Sequence, residues 1–177
     1  MFPDTYLIAK DATSLEIATR LKNTFNEKVD RKTLLSGIKN HLTEDEVIVL
    51  ASLIEREAKS NEERPIIAGI LINRLNAGIA LQVDATVRYA QGYNAAENSW
   101  WTPPVTQDDY STTKSVYNTY LHVGLPPKPI CNPGLESIRA AAEPADTDYM
   151  FYIHDSEGKI HYARTGEEHQ QNMQKYL

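Results

Sequence analysis

The sequence predicts an α+β fold that is rich in helices and has small β elements. Apolar residues recur at helical spacing through much of the chain, most clearly from residue 43 to residue 78. Residues 148–154 and 159–164 instead alternate apolar and polar side chains around a turn, as the two strands of a hairpin do. The length of 177 residues, 41% of them hydrophobic, suits one domain with one core.

Two helices are predicted before the central stretch. The first spans residues 11–29, with Asp11 or Thr13 as the residue that caps its N-terminus. The second, at residues 30–40, has a weaker apolar pattern. The apolar residues of the first helix, which give it an amphipathic character, are Leu15, Ile17, Ala18, Leu21 and Phe25.

The central stretch is predicted to form two consecutive helices, at residues 43–60 and 61–78. Thr43 and Glu46 have the spacing of a capping box, which satisfies backbone N–H groups at a helix start. Pro65 is tolerated in the first turn of the second helix, and Gly78 is a common residue just past a helix end.

The remainder of the chain predicts shorter elements. Residues 79–84 alternate roughly as a short strand does, and a brief helix is expected at 86–90. Residues 91–113 are rich in Asn, Ser, Thr and Pro, which predicts a long surface loop. Helices are predicted at 135–142 and at 167–177, on either side of the hairpin.

Composition and motif content exclude several classes of function. The formal net charge is −6 and no run of Lys and Arg is present, so we expect no nucleic-acid partner. The five histidines lack the spacing of a zinc helix, and no Gly-rich phosphate loop occurs, so neither a metal nor a cofactor is expected. The single cysteine, Cys131, cannot form a disulfide within the chain.

Glu57 is the candidate for acid–base chemistry. On a helical projection it lies within about 60° of Leu50, Leu53 and Ile54, on the side that apolar residues favour. A carboxyl group on an apolar face loses hydration, so its pKa rises toward the range that a general acid needs. The alternative is a solvated residue or one half of an ion pair with Arg56, Lys59 or Arg64.

Six motifs carry a resemblance to a known family. They are FPDTY (2–6), LASLIEREA (50–58), ERPIIAGILINRL (63–75), LQVDATVRYA (81–90), YNTYLHVGLPPKPICNPG (117–134) and EEHQQNMQKYL (167–177). In this order and spacing they resemble the YceG-like family, the MltG-type endolytic murein transglycosylases. The resemblance covers essentially the whole chain. The chain departs from the family's common pattern at Val116, where a proline is usual, and at Lys128, where a glycine is usual.

The resemblance implies which residues form the site. The second Glu of the family's Glu-x-Glu pair is the catalytic acid, and it corresponds to Glu57. The surrounding helix is similar to that of soluble lytic transglycosylases and goose-type lysozymes, which implies a lysozyme-like helical core. The residues that match family positions near the glycan, and are therefore expected to bind substrate, are Asn73, Gln82, Asp84, Tyr117, Asn118, Tyr120 and His161.

Structural roles for some of these residues remain open at this point. Asp84 is as well placed to cap the helix that follows it as to bind a sugar hydroxyl. Asn73 either contacts substrate or holds two helices together. His169 matches a family position as His161 does, and the adjacent Trp100 and Trp101 either stack on sugar rings or anchor the loop.

The family also implies a place in the cell. Its members have a short cytoplasmic part, one membrane-spanning helix and a LysM-like subdomain before the Phe-Pro-Asp-Thr-Tyr motif. We therefore expect residues 1–177 to be the catalytic domain of a single-pass protein of the cytoplasmic membrane, with this domain on the outer side. The chain itself has no apolar run near 20 residues and no signal peptide, and it is expected to be soluble. The expected partners are peptidoglycan strands and, by family implication, peptidoglycan synthases.

The resemblance implies a non-hydrolytic reaction at the bond between N-acetylmuramic acid and N-acetylglucosamine. Glu57 protonates the glycosidic oxygen and then takes the proton of the muramoyl C6 hydroxyl, which closes on C1 to give a 1,6-anhydro end. A muramidase is the first alternative and requires a second carboxylate, for which Glu55, Glu62 and Asp84 are candidates. The second alternative is a glycan-binding module without catalytic activity.

Overall fold

The computed structural model describes residues 1–101 and 105–177, and within them it confirms the helix-rich α+β prediction. The chain order is α1 (Ser14–Lys28), α2 (Arg31–Ser36), a 3-10 helix (Gly37–Asn40), α3 (Glu44–Glu57), α4 (Glu63–Asn76), α5 (Asp84–Gln91), α6 (Gln107–Thr112), α7 (Leu135–Ala142), β1 (Phe151–His154), β2 (Ile160–Ala163) and α8 (Gly166–Tyr176).

Helices α3 and α4 form the centre of the core. Thr43 caps α3, and its side chain and that of Glu46 make the reciprocal hydrogen bonds of the predicted capping box. Helix α7 packs against both α3 and α4. The largest fully buried apolar side chains come mostly from α3 and α4: Val47, Leu50, Leu53, Ile54, Ile67, Ile70 and Leu71, with Ile138 from α7.

A close backbone contact joins α4 to the segment after α7. A Cβ atom at Gly69 would lie 2.3 Å from the carbonyl oxygen of Ala145, which is closer than atoms can approach. The backbone N–H of Ala145 also donates to the carbonyl oxygen of Pro65, at 2.9 Å. Glycine at position 69 therefore lets this segment run against the helix toward the hairpin.

The predicted hairpin is confirmed. Strands β1 and β2 pair antiparallel, with Tyr152 opposite Tyr162 and His154 opposite Ile160. Helix α8 packs on both strands. The pairing places Tyr152 on a short strand that contacts the end of α3, more than 90 residues earlier in the chain.

Two predictions of secondary structure were wrong. Residues 79–84 do not form a strand: Gln82 has a left-handed backbone conformation with φ of 55°, and Asp84 is already the first residue of α5. The long loop predicted at 91–113 contains α6, which begins after a capping box between Thr106 and Asp109. The prediction overlooked this Thr-x-x-Asp signal. Residues 102–104, also within the predicted loop, lie outside the described residues.

Among the residues that the structure describes, no helix is both long and apolar enough to cross a membrane.

Candidate active site

Glu57 is the last residue of α3 and lies at the wall of a cleft. Its Oε2 atom accepts a hydrogen bond of 2.8 Å from the hydroxyl of Tyr152 on β1. Burial raises the pKa of Glu57, and the nearby charge of Asp84 raises it further, whereas Tyr152 and Arg88 act in the opposite direction. The carboxyl group is thus placed where a proton is retained at higher pH than on an exposed glutamate.

The cleft beside Glu57 has a volume of about 490 Å³. Four of the predicted site residues line it together: Glu57, Gln82, Asp84 and Tyr120. The other lining residues come from α4, α6, α8 and the hairpin, and they include Arg74, Tyr110, Met150, Phe151, Tyr152, His154, His169 and Met173. The cleft is therefore built by residues that are spread from Glu57 to Leu177.

Asp84 is held by a tyrosine that also lines the cleft. The hydroxyl of Tyr120 donates to Oδ1 of Asp84, and the Tyr120 ring stacks on Tyr110 of α6, with 3.9 Å between ring centroids. Burial and the neighbouring Asp84 raise the pKa of Tyr120, so this hydroxyl stays protonated and remains a donor. Asp84 does not act as the N-cap of α5, a position that Val83 occupies.

Arg74 of α4 lines the cleft and is nearly fully buried. Its guanidinium donates to the carbonyl oxygens of Ala80 and Met150 and to Oε1 of Gln82, at distances from 2.6 to 3.1 Å. The residue is 5% exposed. Arg74 therefore ties α4 both to the turn that carries Gln82 and to the residue that precedes β1.

Two residues predicted as substrate contacts lie outside the cleft lining, and their side-chain amides bond within the protein. Asn73 donates through its side-chain amide to the carbonyl oxygens of Thr147 and Tyr149. Asn118 is fully buried, and its amide nitrogen donates to the carbonyl oxygen of Thr113 at 2.9 Å. Since both amides are occupied within the protein, the placement favours the structural role for each.

Tyr117 and His161 also lie away from the lining of the cleft. The Tyr117 ring packs on Tyr89, with 4.7 Å between centroids. His161 stacks on Tyr176 of α8, and its Nε2 atom is 2.7 Å from a carboxylate oxygen of Asp155. Neither placement supports a direct substrate contact.

Several cleft residues were not predicted as site residues. Tyr152 and Phe151 belong to the predicted hairpin, but alternation alone does not tell which face of a hairpin meets another element. His169 matches a family position, and its ring stacks on Phe151 with centroids 5.0 Å apart. A usable signal existed for Arg74, since a cation among the apolar residues of a buried helix requires polar partners.

The structure separates the three candidates for a second carboxylate. Oε2 of Glu55 accepts hydrogen bonds from the backbone N–H of Gly134 at 3.0 Å and from the Ser137 hydroxyl at 2.6 Å, at the N-terminus of α7. Glu62 is exposed before α4. Only Asp84 of the three lines the cleft with Glu57.

Glu55→Ala is expected to lower the free energy of unfolding by about 1–3 kcal/mol, because it leaves a hydroxyl and a backbone N–H at the start of α7 without their acceptor. Urea unfolding followed by circular dichroism measures this. Glu27→Ala, at an exposed position on α1, serves as the control and should change stability by less than about 0.5 kcal/mol. Equal stability of the two variants would contradict the capping role of Glu55.

No group of three or more His, Cys, Asp or Glu side chains arranged to hold a metal ion occurs in residues 1–101 and 105–177.

Comparisons with known proteins place these features in a family. Residues 1–175 match the profile of the YceG-like family. The endolytic murein transglycosylase of Streptococcus pneumoniae (strain ATCC BAA-255 / R6) is 34% identical over 100% of this chain and 32% of its own length. The endolytic murein transglycosylase of Bacillus subtilis (strain 168) is 35% identical over 100% of this chain and 47% of its own.

A solved structure is similar along almost the whole chain. The crystal structure of a putative YceG-like protein from Listeria monocytogenes superposes with a TM-score of 0.81 and 31% identity, covering 96% of this chain and 52% of that one. The chain thus spans between about a third and a half of the length of these relatives.

Proposed function

The chain belongs to the YceG-like family, and from this we propose that residues 1–177 form the catalytic domain of an endolytic peptidoglycan lytic transglycosylase. The proposed substrate is the β-1,4 bond between N-acetylmuramic acid and N-acetylglucosamine in peptidoglycan glycan strands. Two of the similar proteins carry the name endolytic murein transglycosylase. Membrane attachment through a further segment and contact with peptidoglycan synthases belong to the same proposal.

One observation carries the proposal. Glu57 is the one glutamate among the described residues that line the cleft; its pKa is raised, and it accepts a hydrogen bond from the neutral hydroxyl of Tyr152. Burial and the neighbouring carboxylate also raise the pKa of Tyr152, which keeps it a hydrogen-bond donor at neutral pH. One carboxyl group that can both give and take a proton is what a non-hydrolytic cleavage requires.

The reaction proceeds in two proton transfers through Glu57. The protonated carboxyl group first donates to the glycosidic oxygen, and the bond to the muramoyl C1 breaks with oxocarbenium character at the ring. The resulting carboxylate then accepts the proton of the muramoyl C6 hydroxyl, whose oxygen bonds to C1. The products are a free hydroxyl on N-acetylglucosamine and a 1,6-anhydro end, and Glu57 regains its proton.

The hydrogen bond from Tyr152 serves the second transfer. A donor to a carboxylate stabilises the charged form, so Tyr152 opposes the effect of burial and limits how far the pKa of Glu57 rises. It also fixes the orientation of Glu57, because the donor is held in a paired strand.

A muramidase is the second candidate, and the position of Asp84 favours it. Asp84 lines the same cleft, and its charge influences Glu57. A carboxylate there, held by Tyr120, is able to accept a proton from water and direct that water to the sugar. The two candidates share Glu57 as the acid and differ in the attacking oxygen.

Product analysis distinguishes the candidates. Purified peptidoglycan is digested by the domain in water labelled with heavy oxygen, and the ends are identified by mass spectrometry. The transglycosylase predicts anhydro ends without label, whereas the muramidase predicts reducing ends that carry it and disappear in Asp84→Asn. If the wild-type protein releases fragments that carry neither kind of end, both proposals are overturned.

Tyr152→Phe is expected to lower kcat by about 10- to 100-fold, since a hydrogen bond to a charged group contributes about 1.5–3 kcal/mol. Loss of the donor also raises the pKa of Glu57 further, so the alkaline limb of the pH profile of kcat/KM moves to higher pH. Steady-state rates across pH measure both effects. Tyr162→Phe, at the paired position across the hairpin, is the control. An unshifted alkaline limb would contradict the role given to Tyr152.

A further inference from the structure

An exposed aromatic surface lies next to the C-terminal end of α3. It consists of Tyr89 on α5 and Tyr93, Trp100 and Trp101 in the segment that follows, and it is called here the aromatic surface. Trp100 is 63% exposed, Tyr93 46% and Tyr89 38%. Tyr93 and Trp100 contact each other with ring centroids 5.5 Å apart, and Tyr89 and Trp101 are 6.3 Å apart.

The segment that carries these rings has a defined internal structure. Gly92 has φ of 75°, a conformation that side chains rarely adopt, and it turns the chain directly after α5. Asn94 and Ser99 then pair through two backbone hydrogen bonds, of 2.8 and 3.2 Å. The side chain of Asn94 accepts from the backbone N–H groups of Ala96 and Glu97. The exposure of Trp100 therefore follows from an ordered loop.

Trp101 fixes the aromatic surface next to the catalytic end of α3. The Arg56 guanidinium lies over the Trp101 ring, 4.1 Å from its centroid, and Arg56 directly precedes Glu57. Tyr89, the other neighbour of Trp101, directly follows Arg88, whose charge acts on Glu57. The aromatic surface is thus joined to the cleft through residues adjacent to the acid.

The chemistry of this surface suits sugar rings. The side chains present flat apolar faces with polar edges, and two asparagines, Asn94 and Asn98, lie in the same loop. Their side-chain oxygens accept within the loop, that of Asn98 from the Tyr93 hydroxyl, so their amide N–H groups are the donors offered to a sugar. The C–H face of a pyranose packs on such a ring, and its hydroxyl and acetamido groups bond to amides. Exposed Leu, Ile, Val or Phe side chains, which would favour a lipid or a protein, do not occur in segment 89–101.

We propose that the aromatic surface binds the sugar rings of a β-1,4-linked amino-sugar strand that continues out of the cleft. This assignment rests on the proposed function for the identity of the strand, and it adds a binding site distinct from the reacting one. Trp100 and Tyr93 stack on the sugar, whereas Trp101 anchors the loop against Arg56.

Binding of chitohexaose, a β-1,4-linked oligomer of N-acetylglucosamine, tests the assignment. This oligomer contains no muramic acid and hence no bond that the proposed reaction cleaves, so its binding is measured independently of catalysis. Trp100→Ala and Tyr93→Ala are each expected to weaken binding about tenfold by calorimetry. Leu15→Ala, at a position that is 76% exposed on α1, should leave it unchanged. All variants are first shown to unfold at the wild-type temperature.

Intrinsic fluorescence gives a second readout, because the chain contains two tryptophans and both belong to the aromatic surface. Chitohexaose should change the emission of the wild-type protein. With glycan strands as substrate, Trp100→Ala should raise KM and leave kcat unchanged.

The outcomes distinguish a failure of the proposed sugar binding from a failure of the proposed catalytic function. The sugar-binding role of the aromatic surface is overturned if the wild type does not bind chitohexaose, or if Trp100→Ala binds it as well as Leu15→Ala does. This holds even when strands are cleaved. If chitohexaose binding depends on Trp100 but strands are not cleaved, the sugar-binding role is supported and the proposed catalytic function is overturned. Loss of self-association or of vesicle binding in Trp100→Ala, with sugar binding intact, would assign the surface to a protein or lipid partner instead.

Discussion

Glu57→Gln should lower the turnover of glycan-strand cleavage by about 10²–10⁴-fold, the range in which general acid–base catalysis contributes. The amide is nearly isosteric with the carboxyl group but neither donates an acidic proton nor accepts one. The oxygen that accepts from Tyr152 is retained, so the fold and the shape of the cleft are preserved. The rate of release of soluble fragments from purified strands measures the effect.

The same variant reports the raised pKa of Glu57 through stability. The folded-state pKa is above the ordinary value near 4.5 because of burial, so the folded protein binds a proton more tightly than the unfolded chain does. The stabilising contribution of protonated Glu57 is complete below pH 4.5 and is lost as the pH rises through the folded-state value. Glu57→Gln should therefore gain stability relative to wild type as pH increases over this interval.

Glu27→Gln is the matched control, since it makes the same chemical change at an exposed position. It should neither affect turnover nor change the pH dependence of unfolding. Cleavage by Glu57→Gln at close to the wild-type rate would contradict the assignment of the acid. A constant stability difference between wild type and variant across pH would contradict the raised pKa.

The local elements were largely predictable because each depends on signals within a few residues. The capping box at Thr43, the apolar stripe that includes Leu50 and Leu53, and the alternation around Asp155 to Gly158 lie close together in sequence. Glu57 was predictable from the same stripe, because it lies on the apolar side of the helix. These patterns reflect the periodicity of helices and strands, which is visible over a few consecutive residues.

The partners of these elements were not predictable, because they depend on contacts across the chain. Tyr152 is 95 residues from Glu57, and Asn73 is 74 residues from the carbonyl oxygen of Thr147 that it bonds. A polar side chain on a helix is equally suited to a sugar hydroxyl and to a backbone carbonyl. Asn73 and Asn118 were therefore predicted as substrate contacts, whereas the structure uses their amides internally.

Arg74 shows how a structural contact organises the candidate site. Its guanidinium holds the backbone of Ala80, the side chain of Gln82 and the backbone of Met150 at one place. Burial lowers the pKa of Arg74, but a guanidinium binds its proton so tightly that the group remains charged at neutral pH. The bonded oxygens therefore replace the water that this cation loses.

Arg74→Met should lower the free energy of unfolding by about 3–5 kcal/mol, because it removes a buried side chain that donates to three partly buried acceptors. Methionine fills much of the same space, so the loss measures the hydrogen bonds more than the packing. Arg74→Lys keeps the charge but not the planar fork, and its stability should be intermediate. Chemical denaturation of the three proteins at one pH measures the series.

The effect of Arg74→Met on cleavage should exceed what unfolding alone explains. Met150 directly precedes β1, the strand that carries Tyr152, so release of its carbonyl loosens the donor to Glu57. At a temperature where the variant is still folded, kcat should fall toward that of Tyr152→Phe, and the double variant should lose little more than either single one. Arg20→Met, an exposed substitution on α1, controls for loss of charge. Full kcat in folded Arg74→Met would show that Tyr152 is positioned by the hairpin alone, without Arg74.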